Sequence, residues 1–203
     1  MNDQRLLYAK YGKHEIMKKR NLYFMLFCLS LCLLIVILYY MGHSEETADT
    51  DNPLIYEKEG VRFSYPGNWK ITEDTVNISS HHIFIESPGN ALFSIQIFSN
   101  IDAIPLHQFA EQFSELTQQK GFPRISNRVF SELEESINSI NNYSIQETFS
   151  IKVSGEQAPH VRRYYSVTND EKTAYLISQA ATEDLTKVES GFSLILKSLK
   201  ISK

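Results

Sequence analysis

Cysteine is scarce in this chain of 203 residues, and its two copies, Cys28 and Cys32, both lie near the N-terminus. Residues 42–203 therefore contain no thiol, which excludes disulfide bonds, a cysteine nucleophile and thiolate metal ligands from that region. The same region lacks a Gly-x-Ser-x-Gly nucleophile motif, a glycine-rich phosphate loop and a dinucleotide-binding fingerprint. We therefore expect a protein that is not an enzyme, with no catalytic residue, no metal ligand and no cofactor.

Charged side chains are absent from residues 22–41, a run of 20 residues. A helix of this length is roughly 30 Å long, which matches the hydrocarbon core of a bilayer. Its seven Leu, two Phe, two Ile and one Val contribute on the order of −4 to −7 kcal/mol toward insertion. Tyr23 and Tyr40 stand near its two ends, where interfacial aromatic residues are common. The run therefore predicts a single transmembrane helix, so the membrane itself is an expected partner.

Charge on either side of this run predicts its orientation. Residues 1–21 carry six basic and two acidic side chains, whereas acidic residues such as Glu45 follow the run. The positive-inside rule places this basic tail in the cytosol and the chain after Met41 outside it. No small-x-small cleavage pattern follows, which favours an uncleaved signal anchor in a bacterial inner membrane, with a periplasmic or extracellular C-terminal region. Cys28 and Cys32 share one helix face, where they either fill space as small apolar residues or carry a disulfide or acyl chains.

The region after the membrane segment is acidic. Residues 42–203 carry 14 basic and 22 acidic side chains, a balance of −8. An acidic domain repels phosphate groups, which argues against a nucleic-acid partner. Residues 42–53 are polar and lack large apolar side chains, so we expect a solvated linker there, followed by a folded extracytoplasmic domain over residues 54–203.

Periodicity within residues 54–203 predicts an α+β domain. Apolar residues alternate with polar ones in several short runs bounded by turn residues, which is typical of half-buried antiparallel strands. Two further runs have apolar residues at helical spacing. The predicted strands are 61–65, 69–72, 82–86, 91–99, 144–154, 160–168 and 173–182, and the predicted helices are 105–120 and 183–200. Residues 131–142, rich in Ser, Asn and Glu, are expected to form a loop.

One run resembles a known family. Residues 59–71, Glu-Gly-Val-Arg-Phe-Ser-Tyr-Pro-Gly-Asn-Trp-Lys-Ile, are similar to the opening hairpin of the PsbP-like superfamily, in which a strand ends at Tyr-Pro and a turn and a Trp follow. Residues 191–200 are similar to the last helix of that superfamily. The resemblance implies an α/β/α sandwich with a central antiparallel sheet. It also implies a role in the assembly, stabilisation or chaperoning of other proteins, and it brings no catalytic motif.

The most unusual polar cluster in the predicted strands is Arg162-Arg163-Tyr164-Tyr165. Alternation predicts that Arg162 and Tyr164 lie on one face of the sheet and that Arg163 and Tyr165 lie on the other. Since Arg and Tyr are enriched among interface hot spots, one interpretation is a contact patch for a protein partner outside the cytosol. The other interpretation is structural, with long side chains covering the margin of the sheet.

Two functions stay open on these grounds. The first is a membrane-anchored extracytoplasmic domain that binds a protein partner, in assembly or as a chaperone, without catalysis. The alternative is a small-ligand-binding or hydrolytic domain whose site is built from residues far apart in the sequence. A deep polar pocket with perturbed titratable groups would favour the alternative, whereas an exposed apolar or Arg/Tyr patch would favour the first.

The membrane segment can be tested directly. We expect the full chain to stay in the membrane pellet after extraction with alkaline carbonate, because 20 uncharged residues are more stable in lipid than in water. Replacing Leu31 and Leu34 by Arg should release much of the chain, since each Arg near the centre of such a helix costs about 2.5–3.5 kcal/mol. Replacing the same two residues by Ile is the matched control. Recovery of the natural chain in the carbonate supernatant would contradict the prediction.

Overall fold

The computed structural model of the protein describes residues 44–119, 125–137, 140–153 and 156–202. The predicted cytosolic tail (1–21) and membrane segment (22–41) lie outside the described residues. Within the part of the chain that is described, no helix has the length and apolar character that a bilayer crossing requires. One compact unit begins at Glu45 and includes everything that follows.

Strands form where β-branched and aromatic residues alternate with polar ones, and helices form where apolar residues recur every three to four positions. The strands are β1 (Leu54–Lys58), β2 (Val61–Tyr65), β3 (Lys70–Val76), β4 (Ser80–Glu86), β5 (Leu92–Ser99), β6 (Ile125–Ile137), β7 (Ile140–Val153), β8 (Glu156–Thr168), β9 (Lys172–Ala181) and β10 (Lys200–Ile201). The helices are α1 (Leu106–Gln119) and α2 (Leu185–Ser198), and a 3-10 turn at Thr182–Asp184 precedes α2.

The strands form two antiparallel sheets. The larger sheet has the order β3-β4-β5-β9-β8-β7-β6, and the smaller sheet has the order β1-β2-β10. Most neighbours in the larger sheet are consecutive in the chain, as antiparallel pairing allows. The connection through α1 carries the chain from β5 in the middle of the sheet to β6 at its edge, so that β9 can return beside β5. The predicted α+β class with a central antiparallel sheet is confirmed.

Alternation along the strands gives the larger sheet two apolar faces. On the face that we call the α2 face, Phe93 and Ile95 pack with Val188 and Phe192 of α2 and with residues of the smaller sheet. On the opposite face, the α1 face, a second cluster joins α1 to the central strands through the residues Leu106, Phe109, Ala110, Ile145, Tyr164, Tyr175 and Ile177. Each fully buried side chain of this size contributes about 1.5–3 kcal/mol. The larger sheet therefore lies between α1 and a layer that contains α2 and the smaller sheet.

Trp69, the aromatic residue of the family-like hairpin, anchors that hairpin in the core. The Trp69 side chain is buried, and its ring meets Phe192 of α2 edge-on at 5.4 Å between centroids. Gly191 allows this approach, because a Cβ atom at that position would lie 2.8 Å from Trp69 Cζ2. The glycine in the last helix therefore has a packing role, since protein interiors leave no room to shift such contacts.

Residues 131–142 do not form the predicted loop. Strands β6 and β7 occupy most of this stretch and pair with each other as far as Ile137 opposite Ile140. Because β6 is an edge strand, it needs fewer apolar residues than a central strand, and its period-2 signal is weak. A bulge between Ser126 and Val129, with Asn127 at a φ of 55°, interrupts β6 just before this stretch.

The stretch that the sequence predicts to be a solvated linker, residues 42–53, packs against the domain from Glu45 onward. Glu45 is only 7% exposed, and its carboxylate accepts hydrogen bonds from Ser87 Oγ at 2.6 Å and from the Ala91 N–H at 3.2 Å. Ala48 is buried in the cluster of the α2 face. The linker prediction is therefore wrong for this part, because one small apolar residue and one buried carboxylate suffice to hold the segment.

Removing the Glu45 carboxylate tests this attachment. We expect Glu45→Ala to lower the free energy of unfolding by about 1–3 kcal/mol, because it leaves Ser87 Oγ and the Gly89 N–H, which donates to Glu45 Oε1 at 3.3 Å, without that acceptor. Asp51→Ala is the matched control on the same segment, since Asp51 is exposed and should change stability by about 0.5 kcal/mol or less. Urea denaturation measures both variants, and equal losses in the two would contradict the expectation.

Candidate functional site

A buried acidic residue lies on the α1 face. Glu147 of β7 has 0% exposure, although burying an ionised carboxylate is costly unless it is paired and hydrogen-bonded. In the register of the sheet, Glu147 lies opposite Arg162 of β8, and Arg162 lies opposite Gln179 of β9. These three side chains therefore form a polar row across three adjacent strands.

Hydrogen bonds pair the polar side chains of this row with each other and connect the row to α1. The Arg162 guanidinium donates from Nη1 to Glu147 Oε2 at 2.9 Å and from Nε to Gln179 Oε1 at 2.7 Å. The Tyr164 hydroxyl donates to Glu147 Oε2 at 2.7 Å. From α1, Ser114 Oγ donates to Glu147 Oε1. On β6, Arg128 Nη1 donates to Ser114 Oγ at 3.1 Å. We call these residues the Glu147 cluster: Ser114, Arg128, Glu147, Arg162, Tyr164 and Gln179.

Aromatic rings fix the Arg162 guanidinium in place. Its Cζ atom lies 4.7 Å from the centroid of the Phe149 ring and 5.2 Å from that of Phe113, which is within range of cation–π attraction. Burial raises the pKa of the Tyr164 hydroxyl, the positive charge of Arg162 opposes this shift, and the Glu147 carboxylate adds to it. The phenol therefore stays protonated near neutral pH and acts as a hydrogen-bond donor to Glu147.

The structure gives the positions of the four residues that the sequence predicts as a partner contact patch. Arg162 and Tyr164 face α1, whereas Tyr165 lies in the cluster of the α2 face and Arg163 donates to Glu189 of α2 at 3.0 Å. The predicted alternation is confirmed. Arg162, Tyr164 and Tyr165 are 2%, 0% and 3% exposed, so they do not form an exposed contact patch. They do not cover the margin of the sheet either, because β8 is a central strand that buries both of its faces.

Sequence reasoning did not single out Glu147, although the sequence contains a signal for it. In the predicted strand 144–154, Glu147 has the same phase as the inward residues Ile145 and Phe149. An acidic residue at a core position of a strand needs a buried cation nearby. Arg162 is that cation, but only the register of β7 against β8 brings the two together.

An open groove, which we call the α1 groove, lies on the α1 face beside the C-terminal half of α1. Its volume is about 550 Å³, and its apolar lining consists of Phe84, Leu92, Phe113, Leu116, Ile125 and Ile151. Polar lining residues include Arg162 and Gln179 of the Glu147 cluster. Leu116, the last residue of the apolar stripe of α1, is 52% exposed at this groove. Helix α1 therefore covers only part of its face of the sheet.

Two adjacent histidines lie on opposite sides of β4, as alternation predicts. His82 lines the α1 groove, and burial lowers its pKa, so its ring is neutral at pH 7. On the other side, His81 Nε2 lies 2.9 Å from Asp74 Oδ1. Burial alone would raise the pKa of Asp74, but hydrogen bonds from Lys58 and His81 outweigh it and lower that pKa. Among the residues that the structure describes, no group of three His, Cys, Asp or Glu side chains is placed to hold a metal ion.

Comparison with known proteins finds no matching family model and no matching curated protein. Among solved structures, the chain is similar to cyanobacterial PsbP (CyanoP) from Synechocystis sp. PCC 6803, with a TM-score of 0.47 and 14% identity over 74% of this chain and 92% of that one. A Bacteroides thetaiotaomicron VPI-5482 protein has a TM-score of 0.45 and 11% identity over 74% of this chain and 48% of that one. LpqN, involved in cell envelope biogenesis of Mycobacterium tuberculosis, has a TM-score of 0.40 and 14% identity over 75% of this chain and 90% of that one. A PsbP structure is thus among those similar to this chain, while membership in the PsbP-like superfamily stays a prediction.

Breaking the buried ion pair between Glu147 and Arg162 should lower the stability of the domain. We expect Glu147→Leu to lower the free energy of unfolding by about 3–5 kcal/mol, because it leaves the Arg162 guanidinium buried without its counter-charge. Adding Arg162→Met to this variant should restore much of the loss, since an apolar pair of similar volume has no charge to desolvate. Urea denaturation of the two variants measures both effects.

Arg163→Gln is the matched control for that experiment. It removes the ion pair with Glu189, whose side chain is 55% exposed, and exposed pairs contribute about 0–1 kcal/mol. A loss for Glu147→Leu no larger than that of this control would mean that the Glu147 cluster contributes little to the stability of the domain.

Proposed function

We propose that this chain is a membrane-anchored, extracytoplasmic domain that binds a protein partner and performs no catalysis itself. The anchor in this proposal is residues 22–41, whose 20 uncharged residues suit a bilayer, and the basic tail 1–21 keeps the N-terminus in the cytosol. The folded unit that begins at Glu45 then acts in the cell envelope.

Exposed apolar side chains at one end of the larger sheet support a protein partner. Ile78 is fully exposed and Ile101 is 93% exposed, while Val76 is 46% exposed. Apolar residues exposed on loop tips are typical of interaction sites, because a bound partner removes their apolar surface from water. We call this the Ile78 end, and it comprises the β3–β4 turn (77–79), the β5–α1 loop (100–105) and the β8–β9 turn (169–171).

The Ile78 end lies opposite to the place where the N-terminal segment joins the domain. Glu45 is hydrogen-bonded to Ser87 and Ala91, in the turn between β4 and β5. In an antiparallel hairpin this turn and the β3–β4 turn lie at opposite ends of β4. Glu45 and the Ile78 end therefore lie at opposite ends of β4. A cavity of about 370 Å³ beside Ile78 and Lys172 offers a partner side chain a place to insert.

The α1 groove supports a second candidate function, the binding of a small ligand. Its volume of about 550 Å³ lies within the range of roughly 300–1,000 Å³ that ligand pockets occupy. Its lining residues extend from Glu73 to Gln179 along the chain. This matches the alternative that the sequence left open, a site built from dispersed residues.

Site-specific crosslinking in intact cells tests the protein partner. With p-benzoylphenylalanine in place of Ile78 or Ile101, we expect a light-dependent adduct of the same mass from both positions, because both belong to one surface. Val129 of edge strand β6 is the matched control, since it is 61% exposed and its register through β7 and β8 leads to Ala180, at the end of β9 away from the Ile78 end. No adduct from Ile78 and Ile101, or an equal yield from Val129, would contradict the proposed surface.

A further inference from the structure

We infer that the α1 groove binds a short apolar peptide in an extended conformation, and that Gln96 and Gln179 hold the peptide by its backbone. This inference develops the second candidate function, on which it rests, and does not depend on the protein partner at the Ile78 end. It follows from two side-chain amides that line the groove with unused hydrogen-bonding groups, from the apolar surface beside them and from the charges of the groove.

Gln96 of β5 is a buried polar side chain that the domain itself does not use. It is 9% exposed and lines the groove, and alternation places it on the α1 face, away from Ile95 and Ile97. No hydrogen bond joins the Gln96 side-chain amide to another described residue. Because a buried amide without partners is destabilising and native proteins contain few of them, Gln96 points to a ligand that supplies both a donor and an acceptor.

Gln179 of β9 adds a second unused group to the same groove. Its Oε1 accepts from Arg162 Nε at 2.7 Å, which fixes the orientation of the amide, and its Nε2 has no partner among the described residues. Gln179 lies opposite Leu92 in the strand register, four residues along β5 from Gln96. At about 3.3 Å per residue, the two glutamine positions are separated by about 13 Å along the strands.

A peptide backbone matches both positions. In an extended chain the N–H and the C=O of one residue point to the same edge, and every second residue repeats that edge. The Gln96 amide can therefore accept from the N–H and donate to the C=O of one residue, while Gln179 Nε2 donates to the C=O of the residue four positions away. Those two peptide residues are also about 13 Å apart. A ligand with a single amide or hydroxyl group would match only one of the two positions.

The surface between the two positions is apolar. Phe84 of β4 pairs with Ser94, two residues before Gln96, and lines the groove. Phe113 and Leu116 line it from α1, and Leu116 is 52% exposed. Because side chains of an extended peptide alternate between its two sides, apolar residues would contact α1 on one side and β4 on the other. Both contacts remove apolar surface from water.

The charges of the groove favour an uncharged ligand. Among the titratable groups that line it, Arg162 is 2% exposed and already paired with the buried Glu147. Burial lowers the pKa of His82, so its ring is neutral at pH 7. Glu73 is exposed on edge strand β3 and repels an anion. A peptide with apolar side chains therefore fits, and we expect its terminal carboxylate to lie outside the groove.

Photolabelling of the full-length chain in phospholipid nanodiscs tests the inference. The probe is a peptide with blocked ends, five consecutive apolar residues that include a photoleucine, and Ser-Gly extensions that keep it in water. The companion probe has ester bonds in place of the amide bonds of the apolar residues, which removes their N–H donors. We expect saturable labelling of α1 and the groove strands by the amide probe, with an affinity about tenfold or more above that of the ester probe, because the ester leaves Gln96 buried without its donor. Empty nanodiscs give the background, and mass spectrometry locates the labelled residues.

Gln96→Met separates a binding role from a structural one. Met has a similar volume but no amide, so we expect the peptide affinity to fall about tenfold or more, while the urea midpoint stays the same or rises because an unpartnered amide leaves the interior. Gln108→Met, the same change at an exposed α1 residue that does not line the groove, is the matched control and should change neither value. Leu116→Asp at its exposed position should reduce the affinity by a similar factor. Thermal unfolding establishes that each variant is folded, and the variant that keeps its fold decides the outcome if the other does not.

The ends of the peptide distinguish the possible sources of the ligand. Equal labelling by a five-residue version with free ends points to free peptides, whereas labelling by the blocked and extended version alone points to a segment of a longer chain; both support the inference. Equal affinity of the amide and ester probes, labelling outside the groove, or full labelling of a folded Gln96→Met variant would overturn it.

A small apolar probe keeps this inference separate from the function on which it rests. If a diazirine-bearing hexanol labels the groove and the peptide probes do not, the peptide inference is wrong and small-ligand binding at the groove stands. If no probe labels the groove, the second candidate function is wrong as well. The crosslinks from Ile78 and Ile101 are a separate measurement, so they test the protein partner at the Ile78 end independently.

Discussion

A sheet with seven strands has two faces, and both must be covered if its apolar residues are to leave water. On one face, α2 and the smaller sheet together meet this need. On the other face the described chain supplies α1, whose 14 residues make a helix about 21 Å long and about 10–12 Å across, against a span of about 29 Å for seven strands. The helix therefore covers a part of the α1 face, and the α1 groove lies on the part that it leaves open.

The Glu147 cluster determines where α1 is held on that face. Apolar contacts such as the stack of Phe109 on Tyr175, at 3.9 Å between centroids, favour burial of the helix but allow some sliding. The hydrogen bond from Ser114 to the buried Glu147 carboxylate has a definite geometry, because a charged group without its partners is costly to bury. The same carboxylate holds Arg162 at the floor of the groove. One buried ion pair thus links the position of the helix to the chemistry of the open surface beside it.

The two binding surfaces that we propose follow from this architecture in different ways. The Ile78 end is formed by turns, where side chains such as Ile78 project into water without disturbing the pairing of the strands. The α1 groove is formed by the faces of strands and a helix, so its residues, including Arg162, are held rigidly. The first surface suits contact with a protein, and the second suits a small molecule that must fit a defined space.

Much of the domain could be predicted from the sequence, because local patterns determine local structure. The alternation of Phe93, Ile95 and Ile97 predicts β5 and its buried face, and the spacing of Leu106, Phe109 and Phe113 predicts α1. The order of the elements other than β1, β6 and β10, and the alternating orientation of Arg162 to Tyr165, follow from the same periodicities. The segment 22–41 is likewise predicted by its own composition, although it lies outside the described residues. In each case the information is contained in a few consecutive residues.

Only the tertiary structure decided which residues are brought together from distant positions. The strand register places Glu147 opposite Arg162 and changes a predicted contact patch into a buried cluster. Chain packing places Glu45 beside the turn at Ser87, which changes a predicted linker into part of the domain. Pairing with β7 gives strand structure to β6, whose own sequence lacks a strong pattern. For Glu147 and Glu45 the physical reason is that a polar side chain is stable in the interior when its partners are there, and those partners are distant in the sequence. For β6 it is that the backbone groups of a strand are satisfied by a neighbouring strand.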